Sequence, residues 1–192
     1  SAEWLEHPER FALEPGLTLG AAPHHTRAGR ALFGALGDSA PDRWGRNLIN
    51  RAERRRARAE KRAPRTLREV DYLLGVSDEI RPGALRFKRS LDGPFLAERG
   101  TDPVPPLIAL PRLLDASARV EDNEDTAADL RLLLAPGSSL GGARPKASVR
   151  DRGEPLIAKC PSEKDEYDGV GGEAGALSLA AKAGIVVPAW RL

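Results

Sequence analysis

The most constraining feature of this sequence is the order of its last third. A loop of small residues, Pro136-Gly137-Ser138-Ser139-Leu140-Gly141-Gly142-Ala143-Arg144-Pro145-Lys146, leads into the alternating stretch Lys146 to Arg150. A turn at Asp151-Arg152-Gly153-Glu154 then leads into Pro155-Leu156-Ile157-Ala158-Lys159-Cys160. Period-two patterning on both sides of a glycine turn predicts an antiparallel hairpin. After a polar connection, a helix is predicted from near Gly171 through Glu173, Ala174, Leu177 and Leu179 to Lys182, stopped by Gly184. A strand, Ile185-Val186-Val187, is expected after it. Hairpin, helix and further strand predict an α+β architecture.

The rest of the chain can supply a core for such a sheet. It has 192 residues, 41% of them apolar and 30% charged, which fits one globular domain or two small ones and excludes a wholly disordered chain. The formal net charge is only +2, so attraction to a polyanion has to come from local clustering. A single cysteine, Cys160, excludes an internal disulfide, and no apolar run approaches the roughly 18 residues of a membrane span. With no secretory signal at its start, the chain is expected to be cytoplasmic. There is no methionine, and the chain opens on Ser-Ala-Glu-Trp and closes on Val187-Pro188-Ala189-Trp190-Arg191-Leu192, so a piece of a longer protein is expected.

Upstream, residues 1 to 29 are irregular and rich in turns. The adjacent pair His24-His25 lacks Cys, Asp or Glu at metal-ligand spacing and reads as exposed loop. Ser39 is placed to cap a helix with Pro41 in its first turn, and Trp44, Leu48 and Ile49 give that helix, about 40 to 62, a narrow apolar stripe. From Arg43 through Arg68 there are eleven Lys or Arg against two acids, Glu53 and Glu60. This basic helix has two readings: a surface for nucleic acid or an acidic partner, or a solvated face with a few i,i+4 ion pairs. The solvated face is favoured because no aromatic residue interleaves the stretch. Thr66-Leu67-Arg68-Glu69 reads as a capping box, with Leu67, Val70, Leu73 and Leu74 as the buried side of a short helix ended by Gly75. Ala84 to Lys88 alternates like a half-buried strand. Four prolines and a glycine between Arg99 and Pro111 mark a linker or crossing segment, and helices are expected near 111–120 and 124–134.

The glycine loop is the first candidate site. Small residues let the backbone approach a ligand and turn amides inward, and Lys146 adds a point charge, a combination that suits a polyphosphate. A P-loop is excluded, because Ala143-Arg144 stands where Lys-Ser or Lys-Thr belongs and a strand follows rather than a helix. Taken alone, such a loop reads first as the structural end of the preceding helix. The order behind it adds meaning. Glycine loop, strand, turn, strand bearing a Lys, helix bearing a Glu, strand is the layout of a kinase nucleotide lobe, where the Lys holds ATP phosphates and the Glu orients it. Lys159 and Glu173 are the candidates for that pair. The plain alternatives are a lysine snorkelling from a strand end and a first-turn carboxylate facing the helix dipole. Only 6 of the 30 basic residues are lysines, and two of those six stand at the positions this chemistry needs.

Ser139-Leu-Gly-Gly-Ala-Arg-Pro-Lys146 resembles the nucleotide loop of the HipA family of bacterial serine/threonine kinase toxins. So do Leu156-Ile-Ala-Lys159-Cys-Pro-Ser162, Asp165-Glu-Tyr-Asp168 ahead of a helix with an early Glu, and Ala183-Gly-Ile-Val-Val-Pro188. Asp38-Ser-Ala-Pro-Asp-Arg-Trp-Gly45, Asp71-Tyr-Leu-Leu-Gly75 and Gly83-Ala-Leu-Arg-Phe87 are similar to the family's N-terminal subdomain. The resemblance covers most of the chain from Leu32 onward.

This resemblance implies a mixed α/β N-terminal subdomain over residues 1–100 and, over 101–192, a protein-kinase-like N-lobe built of an antiparallel sheet plus a helix. It implies ATP and Mg²⁺ as cofactors, with Ser139, Gly141, Gly142, Ala143, Lys146, Lys159 and Glu173 forming the ATP site. Ser139 is then the autophosphorylated serine, whose added charge repels ATP phosphates from their own cradle. The implied activity is transfer of the ATP γ-phosphate to a protein serine, typically on an aminoacyl-tRNA synthetase such as the glutamyl enzyme. The implied partner is a DNA-binding, HipB-like antitoxin, through which alone DNA is reached. No H-R-D-like or D-F-G-like string occurs, so no catalytic or metal-binding residue is assigned and the chain alone is expected to be inactive.

Overall fold

A computed structural model describes residues 2–76, 78, 81–90, 92–96, 109–137, 144–162 and 165–192. Seven helices and a two-stranded antiparallel sheet make a mixed α+β fold among these residues. The helices are α1 (Ala2–Glu6), α2 (Gly34–Gly37), α3 (Arg43–Ala59), α4 (Glu69–Leu74), α5 (Leu110–Glu121), α6 (Ala127–Gly137) and α7 (Gly169–Lys182). The strands are β1 (Lys146–Asp151) and β2 (Glu154–Lys159).

The core lies where α3, α5, α6 and β1 meet. Trp44 and Leu48 from α3 pack with Leu113, Ala116 and Val120 of α5, Leu130 and Leu133 of α6, and Ala147 and Val149 of β1. Helical spacing in α5 and alternation in β1 bring these apolar positions to one side of each element. Burying a Leu or Val in this way stabilises the fold by about 1.5–3 kcal/mol per side chain. Residues on both sides of position 100 share this core; position 100 itself lies outside the described residues.

Helix ends are set by polar side chains and by left-handed residues. Asp42, not Ser39, caps α3: its backbone is extended and its Oδ1 accepts from Gly45 N at 2.7 Å. Ser39 is buried, its hydroxyl turned back to the Ala35 carbonyl, and Pro41 precedes the cap rather than opening the helix. The α4 cap also shifts. Arg68 N donates to Asp71 Oδ2, while Glu69 leaves the expected Thr66 box for the Arg46 guanidinium. Val70, expected on the buried side, is exposed. Thr126 and Asp129 form the reciprocal cap of α6.

Two expected strands do not form. Ala84 to Lys88 contributes one isolated bridge, Lys88 to Phe95. Residues 185–187 carry no strand, because α7 ends in a Schellman motif: Gly184 N donates to Ala181 O and Ile185 N to Ala180 O. The Ile185 amide is thereby used up, and Pro188 has none to offer a ladder. Arg81 ties the N-terminal half together. Its buried guanidinium donates to the Ser39, Leu73 and Val76 carbonyls and to Asp78, joining the approach to α3 to the end of α4.

Candidate functional site

The hairpin turns through Arg152 and Gly153, both at positive φ (50° and 90°), the conformation of a two-residue type I′ connection. That turn sets the register. Asp151 pairs with Glu154, and four steps further out Ala147 lies opposite Ala158 and Lys146 opposite Lys159. Directly opposed residues share a face, so the two lysines come together at the open end of the hairpin.

Their surroundings differ. Lys146 Nζ lies 3.0 Å from Asp42 Oδ2, with both side chains over nine-tenths buried. Asp42 thus serves two donors at once, the Gly45 amide and the Lys146 ammonium. Lys159 Nζ donates to Glu173 Oε1 in an ion pair whose side chains are 50% and 43% exposed. Glu173 is carried there by α7, which starts at Gly169 because Asp168 caps it through Gly171 N. Glu173 is therefore the fifth residue of the helix, past the first turn, and its partner is Lys159 rather than the helix dipole.

Arg144 closes the loop against the approach to α7. Its guanidinium is 3.0 Å from Asp165 Oδ1 and stands over the Tyr167 ring at 5.5 Å. It also points Nη1 at Gly169, where a β-carbon would collide with it. In the sequence Arg144 stands out only as a misfit to the P-loop, and Asp42 only as part of the Asp38–Gly45 string. The signal for Asp42 is its place after Ala40-Pro41 at a helix start; nothing local points to its contact with Lys146.

Ser139, Gly141, Gly142 and Ala143 lie outside the described residues. Among the described residues no group of three His, Cys, Asp or Glu is placed to hold a metal ion, and His24 and His25 are exposed. Cys160 is buried, and desolvation, with Glu121 nearby, pushes its thiol up to about 11. No helix among the described residues is long and apolar enough to cross a membrane. No protein-family model, curated protein or solved structure matches the chain.

The donor set at the hairpin mouth suits a phosphate. Lys159 is accessible and oriented by a carboxylate, and Arg144 offers an exposed guanidinium at the end of the loop. Lys146 is buried beside them with its ammonium on Asp42.

Proposed function

We propose that this chain is the nucleotide-binding part of a HipA-like serine/threonine protein kinase. The observation that carries the reading is the Lys159–Glu173 pair: a lysine ending the second strand of a hairpin, held by a glutamate one turn into the following helix. In a kinase N-lobe that pairing aims the ammonium at the α- and β-phosphates of ATP. Here Lys159 binds phosphate and Glu173 positions it, while Lys146 and the loop residues Ser139, Gly141, Gly142 and Ala143 complete the cradle. ATP with Mg²⁺ supplies the transferable phosphoryl group; the role of these 192 residues is to bind and orient it.

On this reading the acceptor is a protein serine, with an aminoacyl-tRNA synthetase as substrate and Ser139 as the autophosphorylation site. A HipB-like antitoxin is the partner, and the setting is cytoplasmic. The acid–base and metal-binding groups are not among these residues, so the chain by itself transfers no phosphate.

Titration calorimetry of the chain with Mg²⁺-ATP tests the reading. Lys159→Ala is expected to weaken binding at least tenfold, about 1.4 kcal/mol. Glu173→Gln is expected to weaken it less, because the ammonium remains but loses its orientation. Unchanged affinity in Lys159→Ala, or no binding by the unaltered chain, rejects it.

A further inference from the structure

Helix α3 carries the densest charge in the chain, and the structure sorts its cations into two groups. Arg46 grips Glu69, Arg51 and Arg55 share Asp125, Arg62 bridges Glu53 and Glu60, and Arg65 approaches Glu53. Both acids within the stretch are consumed, and none of these contacts is an i,i+4 pair along α3. Arg56, which lies on the opposite side of the helix, is exposed and makes no ion pair among the described residues, and the same is true of Arg43, Arg54 and Arg58.

These three are neighbours on one stripe. Positions 43, 47, 50, 54 and 58 are spaced by four, three, four and four residues, which aligns them along one helix face. The two between the arginines are asparagines whose Oδ1 atoms are already engaged: Asn47 accepts from Arg51 Nε and Asn50 from the Tyr72 hydroxyl. Neither amide Nδ2 makes a hydrogen bond among the described residues. The stripe therefore presents three guanidinium groups and two amide donors, and no carboxylate. Arg43, Asn47 and Asn50 also line an open hollow of about 650 Å³ at the N-terminal end of α3. The acid at that end, Asp42, is held by Lys146 and Gly45.

We propose that the stripe Arg43, Asn47, Asn50, Arg54 and Arg58 docks the phosphate backbone of double-stranded DNA. A donor-rich, net positive face without a carboxylate complements a surface made of anionic acceptors. From Arg43 to Arg58 the helix rises about 22 Å, a length over which duplex DNA carries about 13 phosphate charges. Arginine forks match phosphate oxygens in geometry as well as charge. The stripe holds no aromatic or large aliphatic side chain, so it lacks both the apolar centre of a protein interface and the stacking platform of a single-strand binder. DNA is favoured over duplex RNA because its roughly 12 Å major groove accepts a helix edge, whereas the deep, narrow groove of RNA does not. This contact is direct, in contrast to DNA reached only through an antitoxin, and it is independent of the nucleotide site.

Fluorescence anisotropy of the chain with a labelled 30-base-pair duplex of arbitrary sequence, from 50 to 200 mM salt, tests the proposal. Each phosphate contact contributes about −0.9 to the slope of log affinity against log salt. Neutralising Arg43, Arg54 and Arg58 together to Gln is expected to make the slope about 2.7 shallower and to weaken binding at least tenfold at 50 mM. Neutralising Arg56, Arg112 and Arg131, which are exposed elsewhere, is expected to keep both within about twofold of the unaltered chain. Circular dichroism checks that the triple variant folds; if it does not, Arg54→Gln alone is read for a slope change of about 0.9. Equal losses from both triples, tighter binding of a single strand, displacement by polyglutamate at matched charge, or no binding at all overturns the proposal.

Discussion

Lys146 and Lys159 face each other across one rung of the hairpin, and each is paired with a carboxylate, yet they belong to different kinds of region. Lys146 is sealed beneath the four-element core by the cap of α3, while Lys159 meets α7 in solvent. Ion pairs of the same composition therefore do different work. The sealed pair joins two halves of the fold and is costly to break; the open pair adds little stability and leaves its lysine free to exchange partners. The same contrast separates the elements. α3, α5, α6 and β1 bury large aliphatic side chains, whereas α7 buries only Ala174 and exposes Leu179.

Breaking the sealed pair should have the largest effect. Asp42→Ala leaves the Lys146 ammonium buried without its carboxylate and uncaps α3, for an expected loss of about 3–5 kcal/mol in urea denaturation. Lys146→Met should cost nearly as much, and the double variant should recover part of the loss; simple additivity would show that the two side chains are not coupled. Core truncation comes next: Leu133→Ala is expected to cost about 3 kcal/mol, against about 0.5 or less for Leu179→Ala on α7. Comparable costs at the two leucines would erase the contrast between the core and α7.

Acid should act on pairs anchored around the core. The hydrogen bond from Arg62, then the Arg65 amide, lowers Glu53 from its ordinary 4.5 to about 2, and Arg119 holds Asp129 well below the usual carboxylate range. Carboxyls depressed in the folded state bind protons more readily once unfolded, so they stabilise the fold at neutral pH and lose that contribution as pH falls from about 4.5 towards 2. The unfolding midpoint should decline over that window and decline less steeply in Glu53→Gln; a flat profile in the unaltered chain contradicts the assignment. The smallest stability effect is expected at the open pair, where Lys159→Ala should cost about 0–1 kcal/mol, although this is the substitution expected to weaken ATP binding most.

The contrast also explains what could be read from the sequence. Lys159 and Glu173 are 14 residues apart, in a hairpin and helix whose patterns are local, so their approach was foreseeable. Lys146 and Asp42 are 104 residues apart, and no local pattern reports such a contact. Helix ends show the same limit. α3, α5 and α7 are each followed by a left-handed residue, Lys61, Asn123 and Gly184, with matching Schellman hydrogen bonds. Gly184 was legible as a stop, whereas Lys61 carries a β-carbon and no turn preference, so α3 was expected to run to 62. At Ile185 to Val187, β-branched residues favoured a strand, but the cap of α7 had already claimed the first amide.

The core also has a consequence for synthesis. Trp44 and Leu48 find their cover in residues running from Leu113 to Val149, so the inner face of α3 leaves the ribosome long before anything that buries it. At about 5–20 residues per second, the roughly 65 residues from Leu48 to Leu113, the first of that cover, take about 3 to 13 s to emerge. Throughout that interval the nascent chain displays a basic helix with a bare tryptophan on its flank, a form that a chaperone or a passing polyanion meets before the finished protein does.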